Sequence, residues 1–234
     1  AVAFAVVLGK EVFGGTGMNV LNIAMVTRAF LFFAYPTKMS GDKVWTNASL
    51  EEGQTLVDGY SGATALGNAV EGGVDAIPSI MESIIGTIPG SVGETSIIAI
   101  GLGALLLLLT GIGSWRIMLS TFVGGFIMAA VFNLVAGDNL FMQLTPLNQL
   151  VIGGFAFGAV FMATDPVTGT QTNSGQWSYG ILIGILAILI RVANPAYPEG
   201  MMLAVLIGNV CAPLIDHVVI QSNIKKRLNR LKTA

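Results

Sequence analysis

The chain has 234 residues, of which 53% are hydrophobic and only 10% charged, with a formal net charge of -2. Soluble domains carry about a quarter charged residues, so the apolar excess excludes an ordinary soluble globule, and the charge balance argues against a nucleic-acid partner. A single cysteine (Cys211) and a single histidine (His217) exclude an intrachain disulfide and a Cys/His metal or iron–sulfur centre built from this chain alone.

Residues Ala1 to Leu8 form an apolar run without a basic leader. They read as the end of a helix cut in its middle, and the natural chain is expected to extend upstream. Gly14-Gly15-Thr16-Gly17 follows, directly before Met18–Tyr35, an apolar segment interrupted by Asn19, Asn22 and Arg28. Between Asp42 and Glu94 lie eight of the thirteen acidic residues. This polar stretch also contains a short apolar run between Pro78 and Pro89. It reads either as a re-entrant half-helix, whose backbone must be covered by protein, or as an interfacial helix with Ile77, Ile80, Met81, Ile84 and Ile88 toward lipid.

Five further segments approach the roughly 20 apolar residues that a membrane helix needs. They are Thr95–Thr110, Ile117–Ala136, Leu147–Ala163, Tyr179–Ala193 and Met201–Ile220. None alternates with a strand period, which favours an all-α, polytopic membrane helix bundle with re-entrant half-helices and a long outside loop. The expected organisation is a truncated helix, Gly-rich turn and polar-interrupted helix over 1–35, an extracytoplasmic loop over 36–94, a five-helix bundle over 95–220 and a basic tail over 221–234. That tail holds Lys225, Lys226, Arg227, Arg230 and Lys232, and the positive-inside rule assigns it to the cytoplasm. Counting back, the 36–94 loop faces outside; Arg116 agrees with the count, whereas Arg191, Lys38 and Lys43 do not.

Within that loop stands Asp58-Gly59-Tyr60-Ser61-Gly62-Ala63-Thr64. Physically this is a threonine hydroxyl among small residues, open to a phosphoryl group. The same residues also suit a turn into a helix with Ser61 as N-cap.

Asp-x-x-Ser-Gly-Ala-Thr, from Asp58 to Thr64, resembles the flavinylation motif of two related families of membrane proteins. One is the B subunit of sodium-translocating NADH:quinone reductases, and the other is the D subunit of Rnf ferredoxin:NAD complexes. Gly9 to Gly17 and Phe161-Met162-Ala163-Thr164-Asp165-Pro166-Val167 are similar to both. Arg28 to Pro36, Gly93 to Ser96, Ser114-Trp115-Arg116 and Asn194 to Met202 resemble the quinone-reductase family more. One departure is Asn22-Ile23-Ala24, where the family has Asn-Pro-Ala, which bears on where the helix there breaks. The first half of the family's chain is expected to lie outside this one.

The resemblance implies FMN joined through its phosphate to Thr64, with Ser61, Gly62, Ala63 and Asp58 around the attachment. It implies a flavin transferase for maturation, a non-covalent riboflavin, quinone as acceptor and other subunits of a multi-subunit membrane redox complex as partners. It also associates Asp165 and Asp216 with the Na⁺ pathway. Three functions follow: a redox subunit of a Na⁺-pumping quinone reductase, its Rnf-type counterpart, or a passive small-solute channel, which the flavin motif disfavours.

The residues themselves leave alternatives. Acids in membrane segments are rare and costly, and Pro213, three residues before Asp216, frees a backbone carbonyl. Yet Asp165 before Pro166 also reads as an N-cap, and Asp216 as hydrated or paired with Lys225 or Lys226. Arg28 reads as a ligand for a flavin or quinone oxygen or as half of a buried pair, for example with Glu11. Asn19 and Asn22 read as caps of broken backbone or as flavin or quinone contacts. His217 reads as interfacial and Cys211 as a helix-packing residue.

Overall fold

The computed structural model describes residues 1–35, 65–66, 77–88, 90–91, 93–135, 139–194 and 199–233. Among them every regular element is helical. The Asp58–Thr64 string lies outside the described residues.

Helix α1 (Val2–Gly9) and α2 (Ile23–Ala34) are joined by a 3₁₀ turn and the glycine-rich segment. They pack through Phe4 and Phe30, whose ring centroids are 4.8 Å apart. The expected helix from Met18 begins only at Ile23, because Asn22 caps it by accepting the Met25 N–H. Asn22-Ile23-Ala24 therefore breaks the chain at the asparagine without the proline.

The short apolar run between the prolines forms one helix, α3 (Ile80–Ile85). Ser79 and Glu82 make a reciprocal capping box at its start, and Gly86 ends it in the left-handed region. At six residues it rises only about 9 Å, far short of a span.

Helix α4 (Ile97–Leu109) is apolar but has 13 residues. Among the described residues three helices are long and apolar enough to cross a membrane: α5 (Trp115–Leu134), α9 (Asn173–Ala193) and α10 (Met201–Thr233). The segment expected to span over Leu147–Ala163 is instead broken. After the four-residue helix α6 (Leu140–Gln143) come α7 (Pro146–Val151), a turn at Ile152–Gly154, α8 (Phe155–Phe157) and a π-helical turn (Gly158–Met162). Gly153, at φ 71°, supplies the left-handed residue of the break. Helix α9 starts six residues before Tyr179 because Thr172 caps it, accepting from the Gly175 N–H. Helix α10 runs through Pro213 and carries the basic residues of the tail as a continuation of the same helix.

Lipid tails are as apolar as leucine, so helices here associate by close packing rather than by exclusion of water. The α5–α9 pair shows how. The two run parallel: Gly180 of α9 lies against Ile117 and Ser120 of α5, and Gly184 against the backbone from Thr121 to Gly125. A Cβ on Gly184 would collide with the Thr121 carbonyl oxygen, and one on Gly124 would lie 2.5 Å from that of Ile181. Helix α10 packs antiparallel on α9, and the buried Tyr179 hydroxyl donates to Asn209 Oδ1 at 2.8 Å.

The alternation of directions sorts the turns to two ends. One end gathers Gly113–Arg116, the 165–172 turn and Asp216; the other gathers Glu94, Gly153, Arg191 and Glu199.

The glycine seam gives a direct test. Gly184→Leu should destabilise the chain by about 3 kcal/mol or more, because backbone rather than a flexible side chain must yield. Gly101→Ala, with no neighbour within 4 Å, should be neutral or gain up to about 1 kcal/mol from helix propensity. Unfolding of the purified chain by titration of its mixed micelles with dodecyl sulfate reads both; equal losses would contradict the seam.

Candidate functional site

At the first end, the π-turn delivers the chain into a tight turn over Asp165–Gly169, in which the Gly169 N–H donates to the Asp165 carbonyl at 3.0 Å. The Asp165 carboxylate is held by three donors. Oδ1 accepts from the Val167 N–H at 3.1 Å, and Oδ2 accepts from Thr168 Oγ1 at 2.9 Å and Asn22 Nδ2 at 3.2 Å. The N-cap expected at Asp165 is therefore an Asx turn, not a helix start. Asn22 caps α2 with its oxygen and reaches Asp165 with its nitrogen, joining two segments 143 residues apart. Asn19 is nearby in sequence; its Oδ1 is buried without a hydrogen-bond partner.

Asp216 sits on α10 facing the N-terminus of α9. Its carboxylate accepts from the Gln171 N–H at 2.8 Å, the Thr172 N–H at 3.0 Å and Thr172 Oγ1 at 2.5 Å. A carboxylate at a helix N-terminus also gains from the helix dipole. This replaces the expected pairing with Lys225 or Lys226. Gln171 ties the two acids into one unit, since its Nε2 donates to the Pro166 carbonyl at 2.7 Å. Among the described residues no group of three or more His, Cys, Asp or Glu side chains could hold a metal ion. Each aspartate is instead held by two N–H groups and one threonine hydroxyl, all of them donors.

At the second end, Arg28 pairs with Glu199 at 2.8 Å, not with Glu11. Glu94 is buried and faces the same small cavities, and its Oε1 accepts from the Ser91 N–H at 3.4 Å. Arg191 is fully buried. Its guanidinium donates to the Gln149 and Ile152 carbonyls, and to Gln149 Oε1 at 2.9 Å. Gln149 in turn donates to the Phe141 carbonyl. Ala65 and Leu66, the residues that follow Thr64, are 3% and 2% exposed and line a cavity with Gly153, Glu94 and Glu199. In sequence, Arg191 and Glu199 look like a topological exception and a turn residue. The signal that could have found them is a lone charge of each sign flanking one short turn.

Burial lifts the Glu199 carboxyl above the ordinary carboxylate range; Arg28 opposes this, Glu94 adds to it and Arg191 opposes it. A carboxyl pKa higher in the folded than in the unfolded state means that the folded state holds the proton more tightly. The stability from that proton is present at low pH and is lost as pH rises from the unfolded value of about 4.3 through the folded one. Thermal melts over that acidic range should therefore show wild type losing stability relative to Glu199→Gln as pH rises. Parallel profiles would show that Glu199 titrates normally.

The sequence comparisons bear on this arrangement. The chain is 55% identical over 234 residues to the B subunit of the Na(+)-translocating NADH-quinone reductase of Azotobacter vinelandii, a match covering 98% of this chain and 56% of that protein. The B subunits of the reductases of the same name from Stutzerimonas stutzeri and Chromohalobacter salexigens are each 52% identical, over 98% of this chain and 56% and 54% of their own lengths. The chain thus spans a little over half the length of these relatives. Residues 1–225 match the family described as NQR2, RnfD, RnfE. With three apolar helices of spanning length and this match over nearly all its residues, the chain is a multi-pass membrane protein that belongs to the NQR2, RnfD, RnfE family.

Proposed function

We propose that this chain is a redox subunit of a Na⁺-pumping NADH:quinone oxidoreductase, carrying FMN on Thr64 and passing electrons toward quinone in step with sodium movement. The observation that carries the reading is identity of 52–55% along essentially the whole chain to the B subunits of Na(+)-translocating NADH-quinone reductases. The family also includes RnfD, which keeps an Rnf-type complex as the second reading.

Thr64 offers a hydroxyl for a phosphoester, with Ser61, Gly62 and Ala63 leaving room and Asp58 as an orienting acid. Residues next in the chain support a tethered rather than an enclosed group. The two cavities beside Glu94 and Glu199, one of them also lined by Leu66, have volumes of only about 20 Å³ each, little more than a water molecule needs. A ring system held there depends on its covalent bond rather than on a pocket. The flavin, when attached, supplies the redox chemistry, and the protein supplies position and field.

The buried anchorage of Ala65 and Leu66 lies at the end of the bundle away from Asp165 and Asp216. This supports an arrangement with the flavin loop outside and the basic end of α10 in the cytoplasm. Asp165 and Asp216 then face sodium on the cytoplasmic side, with threonine hydroxyls and turn carbonyls as neutral oxygen neighbours. The orphan Asn19 Oδ1 supports a polar contact to a non-covalent riboflavin or to quinone, whereas Asn22 and Arg28 are engaged by Asp165 and Glu199. Other subunits of the redox complex and a flavin transferase complete the set of partners.

Two measurements test the reading. Co-expressed with its flavin transferase and run on a denaturing gel, the wild-type chain should fluoresce under ultraviolet light and Thr64→Ala should be dark. A dark wild-type band without FMN mass on Thr64 would falsify the attachment. In the assembled complex, Asp165→Ala and Asp216→Ala should each raise the sodium concentration for half-maximal turnover by roughly tenfold, the loss of one charged ligand contact. An unchanged sodium dependence would return both carboxylates to fastening turns.

A further inference from the structure

The first end of the bundle holds an open cleft of about 630 Å³ that neither aspartate explains. Its polar wall is the start of α5. Ser114 is the N-cap residue, yet its hydroxyl makes no capping bond and donates instead to Gln176 Oε1 at 2.9 Å. The Met118 N–H is the first of the helix to find an intrahelical acceptor, the Ser114 carbonyl, so the N–H groups of Trp115, Arg116 and Ile117 are left at the cleft. The positive end of a 20-residue helix dipole points there with no acid in the first turn.

Two further observations point to an anionic ligand. Arg116 has no hydrogen-bond or carboxylate partner among the described residues; its guanidinium rests 5.2 Å above the Trp115 ring. Thr170, 2% exposed, lines the inner wall, and its hydroxyl is buried without a hydrogen-bond partner. Asp165 is the other charged residue of the lining, but both of its oxygens are already occupied by donors.

The opposite wall is apolar. Leu108 and Ile112 line it at 40% and 59% exposure, and Leu109 beside them is 78% exposed. Trp115 meets Trp177 edge to face at 5.8 Å, a pairing of the kind that marks the membrane–water boundary. A ligand for this cleft needs a phosphate-like head and a hydrocarbon body.

We propose that the cleft between the end of α4 and the start of α5 binds a phospholipid. Its headgroup phosphate meets the α5 N-terminus and Arg116, and its acyl chains lie along Leu108 and Ile112. The arginine contributes a charge-assisted contact, and Thr170, whose buried hydroxyl has no partner, lines the same cleft. The apolar wall selects a lipid over free phosphate, although both offer the same head chemistry.

The test uses the assembled complex in detergent, stripped of lipid and exposed to phosphatidylglycerol carrying a diazirine in its acyl chain. After illumination, peptide mass spectrometry should find the label on the 108–117 peptide. Diacylglycerol with the same diazirine, lacking the phosphate, should label it weakly. Arg116→Gln should lower labelling by roughly tenfold or more, as expected for losing a charged hydrogen bond. Thr170→Val, which keeps every charge, should lower it less, and Arg116→Lys should retain part of it. Equal labelling by the two lipids, or wild-type labelling in both Arg116→Gln and Thr170→Val, would overturn the site. Displacement by millimolar inorganic phosphate would overturn the lipid assignment in favour of a soluble phosphate.

Discussion

Arg191 donates its guanidinium to the carbonyls of Gln149 and Ile152 at the point where the chain breaks its helix inside the bundle. Carbonyls at a helix end have no intrahelical donor, and hydrocarbon offers none. A broken helix between α5 and α9 is therefore tolerable only with a donor brought from elsewhere. Arg191 is that donor, and Gln149 extends its reach to Phe141. The path from α6 to Asp165 hangs on this fastening. Without it the segment would have to straighten into an ordinary spanning helix, and the π-turn that delivers Asp165 to its three donors would be lost.

The same logic recurs at each interruption. Asn22 closes the start of α2, Thr172 closes the start of α9 and Asp216 secures the turn that precedes it. In each case the side chain that caps also touches, or is touched by, a carboxylate of the candidate sodium path. Capping a helix and fastening a carboxylate are thus two duties of one set of atoms. Each carboxylate already accepts three hydrogen bonds, so a cation that engaged it would compete with donors that hold the backbone. The uncapped start of α5 is the contrast: its own N-cap hydroxyl is spent on Gln176, which leaves its amide groups for a ligand.

Much of this was legible in the sequence. The apolar segments, the glycine-rich turn and the polar interruption at Asn22 are local features, governed by hydropathy and capping, and they appear where their residues stand. The same residues carry the likeness to the quinone-reductase family from Arg28 to Met202. What could not be read is long-range. Leu147–Ala163 has the composition of a span, and only the distant Arg191 makes its interruption stable. Asp165-Pro166 has the pattern of a helix start, but the following residues turn back toward Asp216. Arg28 could meet any acid; 171 residues separate it from Glu199. Periodicity reports which residues leave water, not which polar groups meet after they do.

Helix α2 has a consequence of its own. It is fastened at Asn22 to Asp165 and at Arg28 to Glu199, six residues apart on one rigid rod, about 9 Å of rise. Two weak clasps on one stiff body hold each other at high effective concentration. Opening either lowers the occupancy of the other, and by thermodynamic reciprocity the influence is equal in both directions. Protonation of Glu199 and loosening of the Asn22–Asp165 contact are thereby linked events, felt through a twelve-residue helix rather than through the long spans.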